Sequence, residues 1–214
     1  MEIAAHLLKA GADPLLPLPT GETPVHFACR RGDVKILDLL LQSYLKPGSK
    51  ERSVKDIIEV KGRDGETPLH TAAHYCNLDT VRWLLSHGVS PSCRQNSTHR
   101  TPLHNAGTQG DLAITRLLLN AGADAYACTL DSNLSPLGTA VSNGHLELAK
   151  FFLDQGIWLR DEERKYLLGL SGAEPSASGT PTLSAETRHK ISFVMVSALN
   201  HQMALLQRSF LIRR

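Results

Sequence analysis

Residues 67–76 read TPLHTAAHYC, and this stretch could be either a metal site or a structural motif. His70 and His74 are four residues apart and would share one face of a helix, whereas Cys76 would lie about 140° around it from the middle of that pair. A zinc site needs three or four convergent ligands. The stretch is therefore predicted to be a structural motif, and no metal site is expected in this chain.

The same phrase recurs along the chain. It begins at Thr23 as TPVHFA, at Thr67 as TPLHTA, at Thr101 as TPLHNA and at Ser135 as SPLGTA, in steps of 44, 34 and 34 residues. A leucine-rich phrase follows each copy in register, and an unpaired copy of it, IAAHLLKAGAD, occupies residues 3–13. Self-similarity at a fixed period is typical of a repeat architecture.

Each copy predicts two short helices. Thr67 is a good N-cap, and Pro68 then takes the first helical position, where its missing N–H costs nothing. His70 stands three residues after the cap, from which an imidazole can reach back to the cap. Glycines able to adopt a left-handed conformation are predicted to end the helices. They are Gly32, Gly110 and Gly144 for the first helix of a unit, and Gly11, Gly88, Gly122 and Gly156 for the second.

Two positions depart from the pattern. Cys76 stands where the other units have the helix-ending glycine, and a left-handed conformation costs an ordinary residue on the order of 1 kcal/mol. Asn77 is the alternative residue for that turn. Gly138 replaces the motif histidine in the last unit, which predicts a looser cap there.

These residues resemble the ankyrin repeat, whose signature is T-P-L-H-x-A at a period of about 33 residues. The resemblance covers about residues 2–160. It implies an all-α fold, an ankyrin-repeat solenoid of stacked helix-turn-helix units with projecting loops and a concave surface for protein partners. It brings no catalytic, cofactor-binding or metal-binding residues.

The spacing divides the chain into segments. An ankyrin repeat domain is predicted at 1–160, with a half repeat at 2–13 and repeats starting near 21, 65, 99 and 133. The long first step predicts a basic insertion at 42–56. It is interpreted as a solvated loop, with a partner contact or a phosphorylatable loop as the alternatives. Because the first unit is only half present, the start is expected to be truncated relative to a longer protein, with coverage of this face by something else as the alternative.

The pattern fades after residue 160. A short capping helix is predicted at 161–170, a flexible linker at 171–186 and a C-terminal amphipathic helix at 187–210. The amphipathic helix is interpreted as a cap that folds back on the stack. Docking into another protein's groove and interfacial membrane binding are its alternatives.

Composition bounds the function. The chain has 214 residues and a net charge of +2, which gives no general case for binding nucleic acid or membranes. Its four cysteines form no CxxC pair, and the N-terminus does not resemble a signal peptide, so reduced thiols in an intracellular protein, cytoplasmic or nuclear, are expected. The sequence contains no nucleophile elbow, P-loop, dinucleotide fingerprint or zinc-protease motif, and neither an enzyme nor a cofactor is predicted.

The resemblance also implies where a partner binds. Family contacts come mainly from the loop before the TPLH phrase and from two exposed positions after its Ala-Ala pair. The matching candidates are Glu22, Arg30, Arg31, Arg63, Asp64, Glu66, His74, Tyr75, Arg100, Thr108, Gln109, Ser142 and Asn143. The loops also offer His99 and Leu134.

We therefore predict a non-enzymatic scaffold or adaptor that binds a partner protein and is otherwise monomeric. Our hypothesis is that the partner segment is acidic and contacts a cluster centred on Arg30, Arg31, Arg63, Tyr75 and Arg100. Ordinary solvated side chains are the alternative interpretation of these residues. Alternative functions are a regulatory fragment of a larger enzyme or receptor, and an enzyme in its own right.

Overall fold

The computed structural model describes residues 2–45 and 53–172, with positions 189, 192–194, 196, 197, 200 and 203. These residues form helices joined by turns and loops. The helices are α1 (Glu2–Lys9), α2 (Pro24–Arg31), α3 (Val34–Tyr44), α4 (Val54–Ile58), α5 (Pro68–His74), α6 (Leu78–Ser86), α7 (Pro102–Gln109), α8 (Leu112–Asn120), α9 (Pro136–Ser142), α10 (Leu146–Asp154) and α11 (Asp161–Gly172).

The helices stack in two layers, as the resemblance implied. The inner helices α2, α5, α7 and α9 each contact the next one along the chain. The outer helices α1, α3, α6, α8 and α10 do the same, and each inner helix packs against the outer helix that follows it. The core between the layers is built from the leucine stripes of the outer helices and the small residues of the inner ones.

Small residues let the inner helices approach closely. The Ala-Ala pair of α5, Ala72 and Ala73, is fully buried. In α7 the second residue of that pair is Gly107, where an added Cβ would lie 2.9 Å from the Pro136 carbonyl oxygen. This spacing between α7 and α9 has no room for a side chain at position 107.

Each full unit begins with the predicted cap. Thr23, Thr67, Thr101 and Ser135 are N-caps, and each is followed by proline in the first helical position. Gly32 and Gly110 end α2 and α7 in the left-handed conformation, with φ of 71° and 74°.

Cys76 itself adopts the left-handed conformation, with φ of 57°, so the alternative turn at Asn77 was wrong. Asn77 instead stands at the N-cap of α6, and its side-chain amide donates hydrogen bonds to the carbonyls of Cys29 and Arg30 at 2.7 and 2.9 Å. The amide thereby satisfies carbonyls at the C-terminal end of α2, in the preceding unit.

The insertion is interpreted as a loop between elongated helices, and its residues 42–44 and 54–56 lie within α3 and α4. Helix α4 contacts α3, and Ile57 and Ile58, which directly follow the insertion, are buried in the core. Ser53 caps this helix, since its hydroxyl accepts a hydrogen bond from the Lys55 N–H at 3.2 Å. The basic stretch at 46–52 lies outside the described residues.

The last unit is covered by α11, which contacts α9. Leu167 of α11 is buried in the core, and Trp158, in the loop before α11, packs against the core. The predicted linker, apart from its first two residues in α11, lies outside the described residues. So does most of the 187–210 segment, although Val194 is buried in the core while Phe193, Val196 and Met203 are exposed.

Candidate protein-binding surface

Three histidines hold the repeat loops in place. The Nε2 atoms of His26, His70 and His104 lie 3.1, 3.0 and 3.0 Å from the carbonyl oxygens of Glu66, Arg100 and Leu134, each in the next unit. A carbonyl can only accept, so Nε2 carries the proton and donates. Each histidine therefore fixes the residue that precedes the next TPLH phrase, which is a predicted contact position.

The other ring nitrogen completes the cap of the histidine's own unit. Nδ1 of His70 carries no proton and accepts from the Thr67 N–H at 3.3 Å, and it lies 2.9 Å from the Thr67 hydroxyl. Burial lowers the pKa of His70 to about 4, although the bond to the Arg100 carbonyl raises it. Burial likewise lowers the pKa of His104 to about 4 and lowers that of His26. These imidazoles are neutral structural groups at pH 7.

The last unit replaces its missing histidine with a carboxylate. Glu163 of α11 is 1% exposed and accepts a hydrogen bond from the Ser135 N–H, as the histidines do from threonine. A Cβ on Gly138 would lie 2.7 Å from the Glu163 carboxylate, so the glycine makes room for it. The looser cap expected from Gly138 was therefore wrong.

Glu163 is anchored at its second oxygen. The backbone N–H and Nε of Arg160 donate to it at 3.0 and 3.1 Å. Burial raises the pKa of Glu163, but the hydrogen bonds from Ser135 and Arg160 outweigh burial and hold the pKa below its usual range. The carboxylate is therefore ionised and tied to the α9 cap at neutral pH.

Seven of the thirteen predicted contact residues line one depression on the inner-helix side, with a volume of about 470 Å³. They are Glu22, Arg30, Glu66, His74, Tyr75, Arg100 and Thr108. The lining also includes Thr71, Gln95 and Asn105, which the sequence reasoning missed. Thr71 and Asn105 occupy the fourth position after their caps, which the repeat register could have identified. We call this depression the concave site.

Arg30 is held firmly within the concave site. Its Nη2 donates to the Glu22 carboxylate at 2.7 Å, and its guanidinium lies 5.2 Å from the Phe27 ring centroid and 5.1 Å from that of Tyr75. Tyr75 in turn makes an edge-to-face contact with His74, with ring centroids 5.0 Å apart. The Arg30 guanidinium thus holds the exposed Tyr75 ring in place, and its own charge is partly neutralised by Glu22.

Arg100 and Glu66 occupy the same repeat position as Glu22. Arg100 donates to the Thr108 hydroxyl, and burial lowers its pKa, against the attraction of Asp131. Glu66 accepts from the Thr71 hydroxyl at 3.3 Å. Two acidic and two basic side chains therefore alternate along the concave site.

Two predicted loop residues act between neighbouring loops. Arg63 donates to the Pro19 carbonyl of the preceding loop. Asp64 accepts from the Ser97 hydroxyl of the following loop at 2.7 Å, and its backbone carbonyl accepts from the Asn96 N–H at 2.8 Å. Both residues brace the projecting loops and lie outside the lining of the concave site.

The remaining candidates also lie outside the concave site lining. Arg31 is exposed and lines a different depression beside Leu16 and Phe27. Gln109 contacts His74 at 3.4 Å. Ser142 and Asn143 both donate to the carbonyl of their own helix residue Thr139.

The two other loop residues differ from each other. His99 is half-buried in a left-handed conformation with φ of 55°. Leu134 is buried in the core and is not a surface contact, so that expectation was wrong. An apolar residue at this loop position packs inward, whereas Glu22, Glu66 and Arg100 cannot be buried without a partner for their charge.

Histidine, cysteine and carboxylate side chains are not clustered as metal ligands in the described part of the chain. Among the described residues, no group of three or more His, Cys, Asp or Glu side chains is placed to hold a metal ion. The four cysteines are free thiols, and burial raises the pKa of Cys29 and Cys93. Within the part of the chain that the structure describes, no helix is long and apolar enough to cross a membrane.

Comparison with known proteins identifies the repeat. The family model described as "Ankyrin repeats (3 copies)" matches residues 1–95, 42–129 and 90–163. Among solved structures, the ankyrin repeat domain of Bcl-3, a member of the IkappaB protein family, is 30% identical with a TM-score of 0.60. That match covers 72% of this chain and 64% of the Bcl-3 chain.

Curated relatives align with less than half of this chain. Human NF-kappa-B inhibitor alpha is 34% identical over 94 residues, 44% of this chain and 28% of its own length. NF-kappa-B inhibitor cactus of Drosophila melanogaster is 30% identical over 113 residues, 44% of this chain and 23% of its own length. The p105 subunit of nuclear factor NF-kappa-B from Gallus gallus is 31% identical over 99 residues, 46% of this chain and 9% of its own length. The chain thus spans less than a third of each of these relatives.

Proposed function

Because this chain belongs to the ankyrin repeat family, we propose that it is a non-enzymatic scaffold or adaptor that holds a partner protein on its concave site. The observation that carries this proposal is the convergence of seven predicted contact side chains in one depression across three successive units. Neither the ankyrin family model nor the relatives point to an enzyme family. Its place of action is inside the cell, in the cytoplasm or nucleus, where it is a monomer apart from its partner.

The relatives suggest which partner to test first. Two of them are named as inhibitors of NF-kappa-B, and a third is an NF-kappa-B subunit. The concave site lies within the residues that the ankyrin family model matches. An NF-kappa-B protein is therefore the proposed partner class.

Within the concave site, the partner segment is proposed to carry acidic residues. Tyr75 supplies an exposed aromatic anchor, and Arg100 has no carboxylate within salt-bridge distance among the described residues. Arg31, the next residue of α2 after Arg30, is an exposed cation outside the concave site lining and is proposed to contact the end of the same segment. Arg30 and Arg63 are already engaged by Glu22 and by the Pro19 carbonyl, so they contribute less. Aromatic and arginine anchors commonly dominate protein interfaces.

The test is a binding titration of the full chain against purified NF-kappa-B proteins by calorimetry. Tyr75→Ala is expected to weaken binding by about 10-fold or more, as for a central aromatic contact. Tyr166→Ala on α11 is the matched control, because Tyr75 and Tyr166 are both 43% exposed. Arg31→Glu should also weaken binding, whereas Lys35→Glu on outer helix α3 should not.

The outcomes separate the parts of the proposal. If no NF-kappa-B protein binds the wild-type chain, the partner class is wrong. If one binds but Tyr75→Ala and Tyr166→Ala behave alike, the concave site is not the binding surface. If Arg31→Glu binds as tightly as Lys35→Glu, the partner segment is not acidic at this end.

A further inference from the structure

A second surface lies on the opposite side of the stack, between outer helices α6 and α8. It is a depression of about 450 Å³, which we call the outer groove. Its apolar lining comes from Leu78, Leu112, Ala113 and Leu117, and its polar lining comes from Arg82, Arg116 and Asn120. The outer groove therefore combines an apolar surface with two cations and has no carboxylate in its lining.

The groove is part of a longer pattern. On three successive outer helices a leucine is followed four residues later by a cation, which places both on one helix face. The pairs are Leu78 and Arg82, Leu112 and Arg116, and Leu146 and Lys150. In α3 the same positions hold Val34 and Asp38, and Asp38 accepts from the Trp83 indole N–H at 2.7 Å. The pattern thus begins at α6.

The two groove arginines are available for a ligand. Arg82 and Arg116 are both exposed. The Arg116 guanidinium lies 4.8 Å from the Phe151 ring centroid, a cation–π contact that restricts its motion and leaves its charge unneutralised. A restricted cation loses less side-chain entropy when a carboxylate binds it.

Carboxylates near the groove do not neutralise this pair of arginines. Asp111 caps α8 and accepts from the Ile114 N–H at 2.9 Å. Glu147 contacts Lys150 at 3.3 Å on the next helix. Asp79 is exposed on α6 but does not line the groove. The charge of the outer groove is therefore positive.

We propose that the outer groove binds an acidic amphipathic helix of a partner protein. Packed helices lie roughly 10 Å apart, so Arg82 and Arg116 repeat at about that distance along the stack. A helix crossing α6, α8 and α10 rises 1.5 Å per residue, so carboxylates about seven residues apart would match this spacing. Leucines on the same face of that helix, between the carboxylates, would fill the apolar lining.

The test uses a fluorescent synthetic helix with glutamates seven residues apart and leucines between them, titrated with the full chain and followed by anisotropy. Arg82→Glu combined with Arg116→Glu is expected to weaken binding at least about 10-fold, because two favourable charge pairs become repulsive. The control is Lys61→Glu combined with Lys165→Glu, which makes the same charge change at exposed sites outside the groove. This control should bind within about two-fold of wild type.

Further arms define what would overturn the proposal. Replacing the glutamates of the peptide by glutamines should weaken binding, and higher salt should do the same. Failure of wild type to bind the peptide, or equal binding by both double variants, would overturn it. Binding to phosphatidylserine vesicles that depends on Arg82 and Arg116, without peptide binding, would mean that the surface recognises a membrane instead.

Discussion

The three buried histidines make the stack sensitive to mild acid. Burial lowers the pKa of His70 and His104 from the ordinary value of 6.5 to about 4, and it also lowers that of His26. As the pH falls through 6.5, the unfolded chain takes up these protons while the native imidazoles stay neutral. The contribution of these histidines to the free energy of unfolding is therefore expected to be largest above pH 6.5 and to decrease as the pH falls from 6.5 to 4.

The size of this loss follows from the two pKa values. At pH 5 an unfolded imidazole is almost fully protonated, whereas a native one with a pKa of about 4 is still mostly neutral. His70 and His104 should each lower the free energy of unfolding by about 2 kcal/mol between pH 7.5 and pH 5. Together they lower it by about 4 kcal/mol, a large share of the roughly 5–15 kcal/mol that stabilises ordinary domains. Protonating Nδ1 would also place a donor against the Thr67 N–H.

Urea unfolding followed by circular dichroism at pH 7.5, 6 and 5 measures this effect. His70→Gln is the informative variant, because glutamine can still accept from the Thr67 N–H but cannot take up a proton. It should be less stable than wild type at pH 7.5, yet its loss between pH 7.5 and 5 should be smaller by about 2 kcal/mol. The same loss in both proteins would refute the reasoning. The pKa of Glu163 is lowered, so the stability that this carboxylate contributes is lost mainly below pH 5, outside the range from pH 7.5 to pH 5.

Four substitutions test other contacts by urea unfolding at pH 7.5. Cys76→Gly should raise the free energy of unfolding by about 1 kcal/mol, because glycine relieves the left-handed backbone; an unchanged or lower value would argue against strain there. Asn77→Ala should lower it by about 1–3 kcal/mol, since two carbonyls of α2 lose their donor; a change near zero would mean that water replaces the amide. Glu163→Ala should lower it by about 1–3 kcal/mol by leaving the Ser135 N–H unpaired. Gly138→His should lower the free energy of unfolding of wild type, because the new side chain collides with Glu163. The same substitution should raise the free energy of unfolding of the Glu163→Ala protein. Additive effects of the two substitutions would show that the two positions do not share one cap.

The sequence predicted the local structure of each unit because the motif residues act within a few positions of each other. Thr67, Pro68 and His70 interact inside one turn of helix, so their spacing alone indicated the cap. The inner-helix candidates came from the same register, and seven of the thirteen candidates line the concave site, whereas their contact with a partner stays a prediction. The caps and the positions of the inner-helix residues were therefore predictable, because both depend only on the spacing within one repeat.

The remaining features depend on partners distant in sequence. Glu163 lies 28 residues downstream of Ser135 and takes the role of the missing histidine. No local pattern predicts that the space left by Gly138 is filled by this carboxylate. Asn77 reaches carbonyls 47 and 48 residues upstream, so its turn could not be assigned from its neighbours. The pairing of Arg30 with Glu22 and two aromatic rings likewise required the assembled stack.

The exchange of a histidine for a carboxylate at the last cap determines where this array can be lengthened. A unit copied into the middle would bring its own histidine and would offer a loop carbonyl to the histidine before it, so every junction would be reproduced. A unit appended after α10 would have to displace Glu163, and Gly138 has no side chain with which to hold the newcomer's loop. Engineers who wish to extend the array should therefore insert internal copies, or restore a histidine at position 138 and remove α11 together.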